Sequence, residues 1–111
     1  MITIKGKKYH FKFGINAADL YCELRKCDLN KFQEDVSSLS NGKINIGVFR
    51  DLIWACIKAG ELSAGNDFEY NNFQVGDLLS EMTNKEFEQI INEIGKQAAG
   101  NEKKRAVKTK S

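Results

Sequence analysis

The chain has 111 residues, of which 41% are hydrophobic and 29% charged, and a formal net charge of +2, the balance of one ordinary globular domain. No apolar run approaches the ~20 residues of a membrane span, and no basic-then-apolar leader opens the chain, so a cytosolic protein with no membrane partner is expected. Charge is segregated: residues 99–111 hold five basic groups against one acid, and residues 61–98 hold two lysines against eight acids. That pattern predicts a single globular domain over residues 1–98 and a basic, disordered tail over residues 99–111.

Residues 2–13, ITIKGKKYHFKF, predict a β-hairpin with Gly6 and Lys7 in its turn. Ile2, Ile4, Tyr9, Phe11 and Phe13 form an apolar face, opposite Thr3, Lys5, Lys8, His10 and Lys12. A lone hairpin is marginal in water, so this face must lie on something. Asn16 is placed to cap a helix whose stripe is Ala17, Leu20, Tyr21, Leu24 and Cys27. A short helix over residues 29–36 turns Phe32 and Val36 inward, and SSLSNGKIN, residues 37–45, reads as a loop of breakers.

The stretch FRDLIWACIKAG, residues 49–60, predicts a helix that stops at Gly60. Phe49, Leu52, Ile53, Cys56 and Ile57 share its apolar stripe. Trp54, the one tryptophan, falls about 140° from Phe49 and sits between Arg50 and Lys58. Residues 61–72 read as a loop anchored by Phe68 and Tyr70, with Phe73 just beyond. Val75, Leu78, Leu79 and Met82 mark a further helix face. Thr83 with Glu86 is a capping box that opens a last helix with Phe87, Ile90, Ile91, Ile94 and Ala98 inward. The expected fold class is therefore α+β, an N-terminal β-hairpin packed on a compact group of about five α-helices.

The inventory excludes most chemistry. Cys22, Cys27 and Cys56 are an odd set with no CxxC spacing, and His10 is the one histidine, so no metal site, cofactor or catalytic residue is expected. On a helix Cys22 and Cys27 would stand about 140° apart, which suits reduced structural thiols. No P-loop, GxGxxG or HExxH is present, and the acidic pairs read as solvated helix faces, so the chain is not expected to be an enzyme. The basic tail and the hairpin lysines are a weak, sequence-blind attraction for phosphate. The helical body is acidic and offers no basic face to a groove, so nucleic acid is not the expected partner.

Trp54 is the residue with two readings. It is either an interface hot spot, rimmed by Arg50 and Lys58 and waiting for a partner or a second copy of the chain, or a core residue covered by the hairpin or the last helix. Ala55 and Ala59 suit the second reading. The polar rim favours the first, which makes Trp54, Arg50 and Lys58 the candidate partner-binding residues.

The order GKKYHFKFGINAADLYCEL, FRDLIWACIKAG, FQVGDLLSEM and a final amphipathic helix resembles the tail assembly chaperones of long-tailed, siphovirus-type bacteriophages. In that family a strand pair of the form Gly-Lys-x-Tyr/Phe-x-Phe-x-Phe-Gly leads into the first helix, a Leu-Ile-Trp-Ala segment sits mid-chain, and a Val-Gly-Asp-Leu-Leu/Ile segment follows. The resemblance covers residues 2–94. Lys26-Cys27 stands where relatives often have Thr-Gly, and residues 61–72 form a longer connection than usual. The resemblance implies a non-enzymatic chaperone in the host cell cytoplasm that coats the tape measure protein until the tail tube polymerises, and that is absent from the mature virion. It also implies a longer frameshifted form that recruits tail tube protein. The alternatives are a small DNA-associated phage regulator acting through the basic tail and a minor structural tail component.

Overall fold

In a computed structural model, the backbone is described for residues 1–110 and the side chains for residues 1–39 and 41–98. The elements are β1 (Ile2–Ile4), β2 (Lys7–Tyr9), α1 (Ile15–Arg25), α2 (Leu29–Ser40), α3 (Ile46–Ser63), α4 (Asn72–Leu79) and α5 (Asn84–Lys110). An antiparallel hairpin followed by five helices makes the fold α+β. The expected basic tail at residues 99–111 lies outside the described side chains.

Ile2 pairs with Tyr9, and Ile4 with Lys7. The turn is therefore Lys5-Gly6, one residue earlier than the sequence suggested, with φ of 53° and 78°. Two central residues at positive φ make the turn whose twist matches the strands, and Gly6 adopts it without strain. The ladder ends at Tyr9, so residues 10–13 are not strand. The alternation nonetheless holds: Ile2, Ile4, Tyr9 and Phe11 are buried and Phe13 is half-buried.

Several helix boundaries differ from expectation. Gly14, not Asn16, is the N-cap of α1, because the extended chain turns into the helix directly after Phe13. Asp28 caps α2 by accepting a hydrogen bond from Lys31 N–H at 3.0 Å, and that helix runs on to Ser40, burying Phe32 and Leu39. Helix α3 is capped by Asn45, which accepts from Val48 N–H at 3.1 Å, and it continues through Gly60 to Ser63.

The passage through Gly60 has a packing reason. A Cβ at Gly60 would lie 2.6 Å from Phe11 N and 2.7 Å from the His10 carbonyl carbon. The extended segment 10–12 thus crosses α3 at van der Waals contact, and Lys12 N–H donates to the Cys56 carbonyl at 3.0 Å. Gly60 is a contact point and not a stop signal.

Helix α3 is the centre of the molecule, with every residue from Val48 to Ile57, Arg50 apart, buried. Around it lie Tyr21 of α1, Phe32 of α2, Val75 and Leu79 of α4, and Ile90 and Ile94 of α5. Phe32 packs edge-on against Tyr21 at 5.3 Å and stacks with Phe13 at 5.8 Å, while Phe49 stacks with Phe87 at 5.3 Å. The Tyr21 hydroxyl donates to Asp35 at 2.7 Å, so the hydroxyl buried among these rings is satisfied. The Thr83–Glu86 capping box forms as the sequence indicates, with reciprocal bonds of 3.1 Å.

Candidate functional site

Ile46, Arg50, Trp54 and Lys58 recur at intervals of four and run along one side of α3. The segment 68–76 lies over the middle of that side. Trp54 is only 8% exposed, and its Nε1–H donates to the Tyr70 carbonyl at 2.8 Å. Lys58 Nζ stands 5.4 Å from the centre of the indole, over its face. The exposure expected of Trp54 is therefore corrected. The connection between α3 and α4 supplies the partner of its N–H, and Lys58 lies over the ring, so the indole is satisfied inside the fold.

Arg50 does not rim Trp54 alone. Its guanidinium lies 5.3 Å from the centre of the Phe73 ring, and its Nε donates to Asp51 at 2.9 Å. Asp51 is buried and collects three partners: Arg25 at 2.6 Å, Arg50, and the Asn72 amide at 3.0 Å. Burial opposes the charge on Asp51, but the hydrogen bonds from Asn72, Arg50 and Arg25 outweigh it and hold the carboxyl below the usual carboxylate range. This junction ties α1, α3 and α4 together at one carboxylate. Sequence reasoning missed it, since Asp51 reads locally as one more charge beside Arg50. Its position within an otherwise apolar helix was the available signal.

Gly76, the glycine of the Val-Gly-Asp-Leu-Leu segment, faces the same spot. A Cβ there would stand 3.1 Å from Arg50 Cδ, so the glycine leaves room for the arginine between α3 and α4. Val75 and Leu79 on either side of it are buried.

Two large apolar side chains on this side stand open among polar ones. Ile46, one turn before Arg50, is 81% exposed, and Phe73, against the guanidinium, is 71% exposed. Arg50 thus has one exposed apolar residue a helical turn before it and another against its guanidinium, with the Asp51 carboxylate bonded to its Nε. This surface can bind an apolar stripe. Among the described residues no group of three or more His, Cys, Asp or Glu is placed to hold a metal ion.

A groove of about 450 Å³ lies between β2 and residues 67–70, with Lys7, Lys8, Glu61, Asp67 and Glu69 along it. Glu61 is occupied there: it accepts from His10 N–H at 2.6 Å and from the Asn66 amide at 2.9 Å. Burial opposes its charge, and the bond from His10 N–H together with that from Asn66 draws its pKa down. A carboxylate held in this way is an anchor for the backbone and not a free base.

Fold and site together define an α+β domain built around one buried helix, with an apolar surface at that helix's N-terminal end. Compared with protein-family models, curated proteins and solved structures, the chain has no match. Among the described residues no helix is long and apolar enough to cross a membrane.

Proposed function

We propose that this chain is a non-enzymatic bacteriophage tail assembly chaperone. It binds the tape measure protein in the host cytoplasm and keeps it soluble until the tail tube polymerises. A longer, frameshifted form would carry the link to the tube protein. The observation that carries the reading is the order and spacing of three segments, GKKYHFKFG, LIWA and VGDLL, across residues 2–94. Each has a physical place in the fold: the hairpin turn and its apolar face, the buried stretch of α3, and the glycine that admits Arg50.

These segments serve packing, and among the exposed apolar side chains Ile46 and Phe73 lie next to Arg50, which makes them the proposed partner contact. A long amphipathic helix that cannot yet bury its stripe needs an apolar contact with a polar rim. Ile46 and Phe73 beside Arg50 offer one. A chaperone must later release its client, which suits a small contact of this kind better than a deep groove.

Co-expression with the tape measure protein tests the reading. The wild-type chain is expected to carry a tape measure fragment into the soluble fraction and to co-purify with it. Ile46→Lys with Phe73→Glu should fold and lose that capacity. A wild-type chain that neither binds nor solubilises any part of the tape measure protein would falsify the proposal.

A further inference from the structure

An ideal helix would hold Cys22 and Cys27 about 140° apart. The chain does not stay helical between them. Lys26 takes up the left-handed conformation, with φ and ψ of 53°, and Cys27 N–H returns to the Cys22 carbonyl at 3.0 Å. That bond closes the helix-ending turn in which the side chains of the first and sixth residues meet. Cys27 is a near neighbour of the Cys22 thiol there.

The turn is held from both sides. Arg25 is fixed to Asp51 at 2.6 Å, and Asp28 caps α2 through Lys31 N–H at 3.0 Å. The fold therefore supplies the closeness of the two sulfurs, where a flexible loop would have to find it by diffusion. A disulfide spans α-carbons about 4.4–6.8 Å apart, a separation suited to residues joined by one backbone hydrogen bond. Both thiols are half-buried and reachable, whereas Cys56 is enclosed in α3.

We infer that Cys22 and Cys27 form a reversible intramolecular disulfide, closed by exchange with a small-molecule disulfide such as oxidised glutathione. The thiolate of one of the two cysteines attacks one sulfur of that disulfide, breaks its S–S bond and releases one glutathione thiolate. The other cysteine then gives its proton to solvent and attacks the protein sulfur of the mixed disulfide. The protein S–S bond forms and the second glutathione thiolate leaves. The protein loses two electrons and two protons, and glutathione disulfide is reduced to two thiols. Burial, with the neighbouring Cys27 adding to it, pushes the Cys22 thiol up to about 11. Closure needs a thiolate at each step and therefore accelerates as pH rises above neutrality. The product locks the last turn of α1 to the residue before the α2 cap. It stiffens the corner from which Arg25 reaches Asp51.

Peptide mapping of the full chain tests this. The native protein is incubated with oxidised glutathione, blocked with iodoacetamide and digested without reduction. Trypsin cuts after Arg25 and after Lys26, so Cys22 and Cys27 fall on separate peptides, 13–25 and 27–31. The expected result is one cross-linked species of those two peptides that dithiothreitol separates. Cys22→Ser and Cys27→Ser should each accumulate a glutathione adduct on the remaining thiol. Wild-type protein carrying separate glutathione adducts on both cysteines, or leaving both open to alkylation, overturns the inference.

Discussion

The two flanks of α3 are attached in opposite ways. On the hairpin side, the backbone of the turn and of residues 10–13 is gripped by side chains and carbonyls from the helices. Glu86 accepts from Lys5 N–H and Gly6 N–H at 3.0 and 3.2 Å, Glu61 from His10 N–H, and the Cys56 carbonyl from Lys12 N–H. Gln97 does both jobs, accepting from Phe13 N–H at 2.7 Å and donating to the Phe11 carbonyl at 3.2 Å. A turn and the chain beyond the ladder have backbone groups with no strand partner, and here the helices supply bonds to them. On the other flank, segment 68–79 is held by side chains of α3 that reach outward: Trp54 to the Tyr70 carbonyl, Arg50 over Phe73, Asp51 to Asn72. The first attachment closes a surface. The second leaves Phe73 and Ile46 in solvent, which is why the proposed partner contact belongs there.

The largest effect should come from Trp54→Ala. Removing a buried indole that anchors segment 68–79 is expected to destabilise the fold by about 3–5 kcal/mol, measured as the shift in a urea melt. A folded variant of near wild-type stability would show that Tyr70 and its neighbours hold their place without the indole. Gly60→Ala comes next, at about 3 kcal/mol, the upper end of what overpacking a core usually costs. The new Cβ meets backbone, 2.6 Å from Phe11 N. Gly76→Ala is the contrasting variant on the other flank. Its Cβ meets the flexible Arg50 side chain at 3.1 Å, and the gain in helix propensity of about 1 kcal/mol offsets that crowding. Equal losses from the two glycines would break the distinction between a backbone contact and a side-chain contact.

Acidification probes the Asp51 junction. The folded protein holds the Asp51 carboxyl below its ordinary range. Its stabilisation is therefore in place above the unfolded-state pKa of about 4 and is lost as pH falls through the lower folded-state value. Denaturant midpoints should drop on acidification from pH ~4 downward, and Asp51→Asn should flatten that drop while lowering stability at neutral pH. An unchanged acid profile in the variant would place the acid sensitivity elsewhere, for instance at Glu86, whose bonds from Thr83, Lys5 and Gly6 also lower its pKa.

Gln97→Ala should cost about 1–2 kcal/mol, the sum expected for two hydrogen bonds lost to the backbone of residues 11–13. Amide exchange at Phe13 reports the same loss locally. The smallest effect on stability is expected from Phe73→Ser, within about 0.5 kcal/mol, because the ring is mostly in solvent. Its effect on binding to a tape measure fragment should be the larger one.

Much of this molecule is written in local periodicity. Alternation in residues 2–13 marks the face that is buried, the 3.6-residue recurrence marks α3 and α5, and Thr83 with Glu86 marks where α5 begins. Those features depend on neighbours within a turn or a strand, and a sequence shows such neighbours directly. Tertiary structure alone decided what lies against the second face of a helix. The wheel put Trp54 on the charged side of α3, and it is buried there because residues 68–76, far along the chain, fold back over it. Helix spacing likewise separated Cys22 from Cys27, and the left-handed turn at Lys26 brought them together. Asp51 looked like one surface charge and became the link among three helices when Arg25 and Asn72 arrived from distant positions. Burial and charge pairing depend on which distant segments meet, and no local period records that.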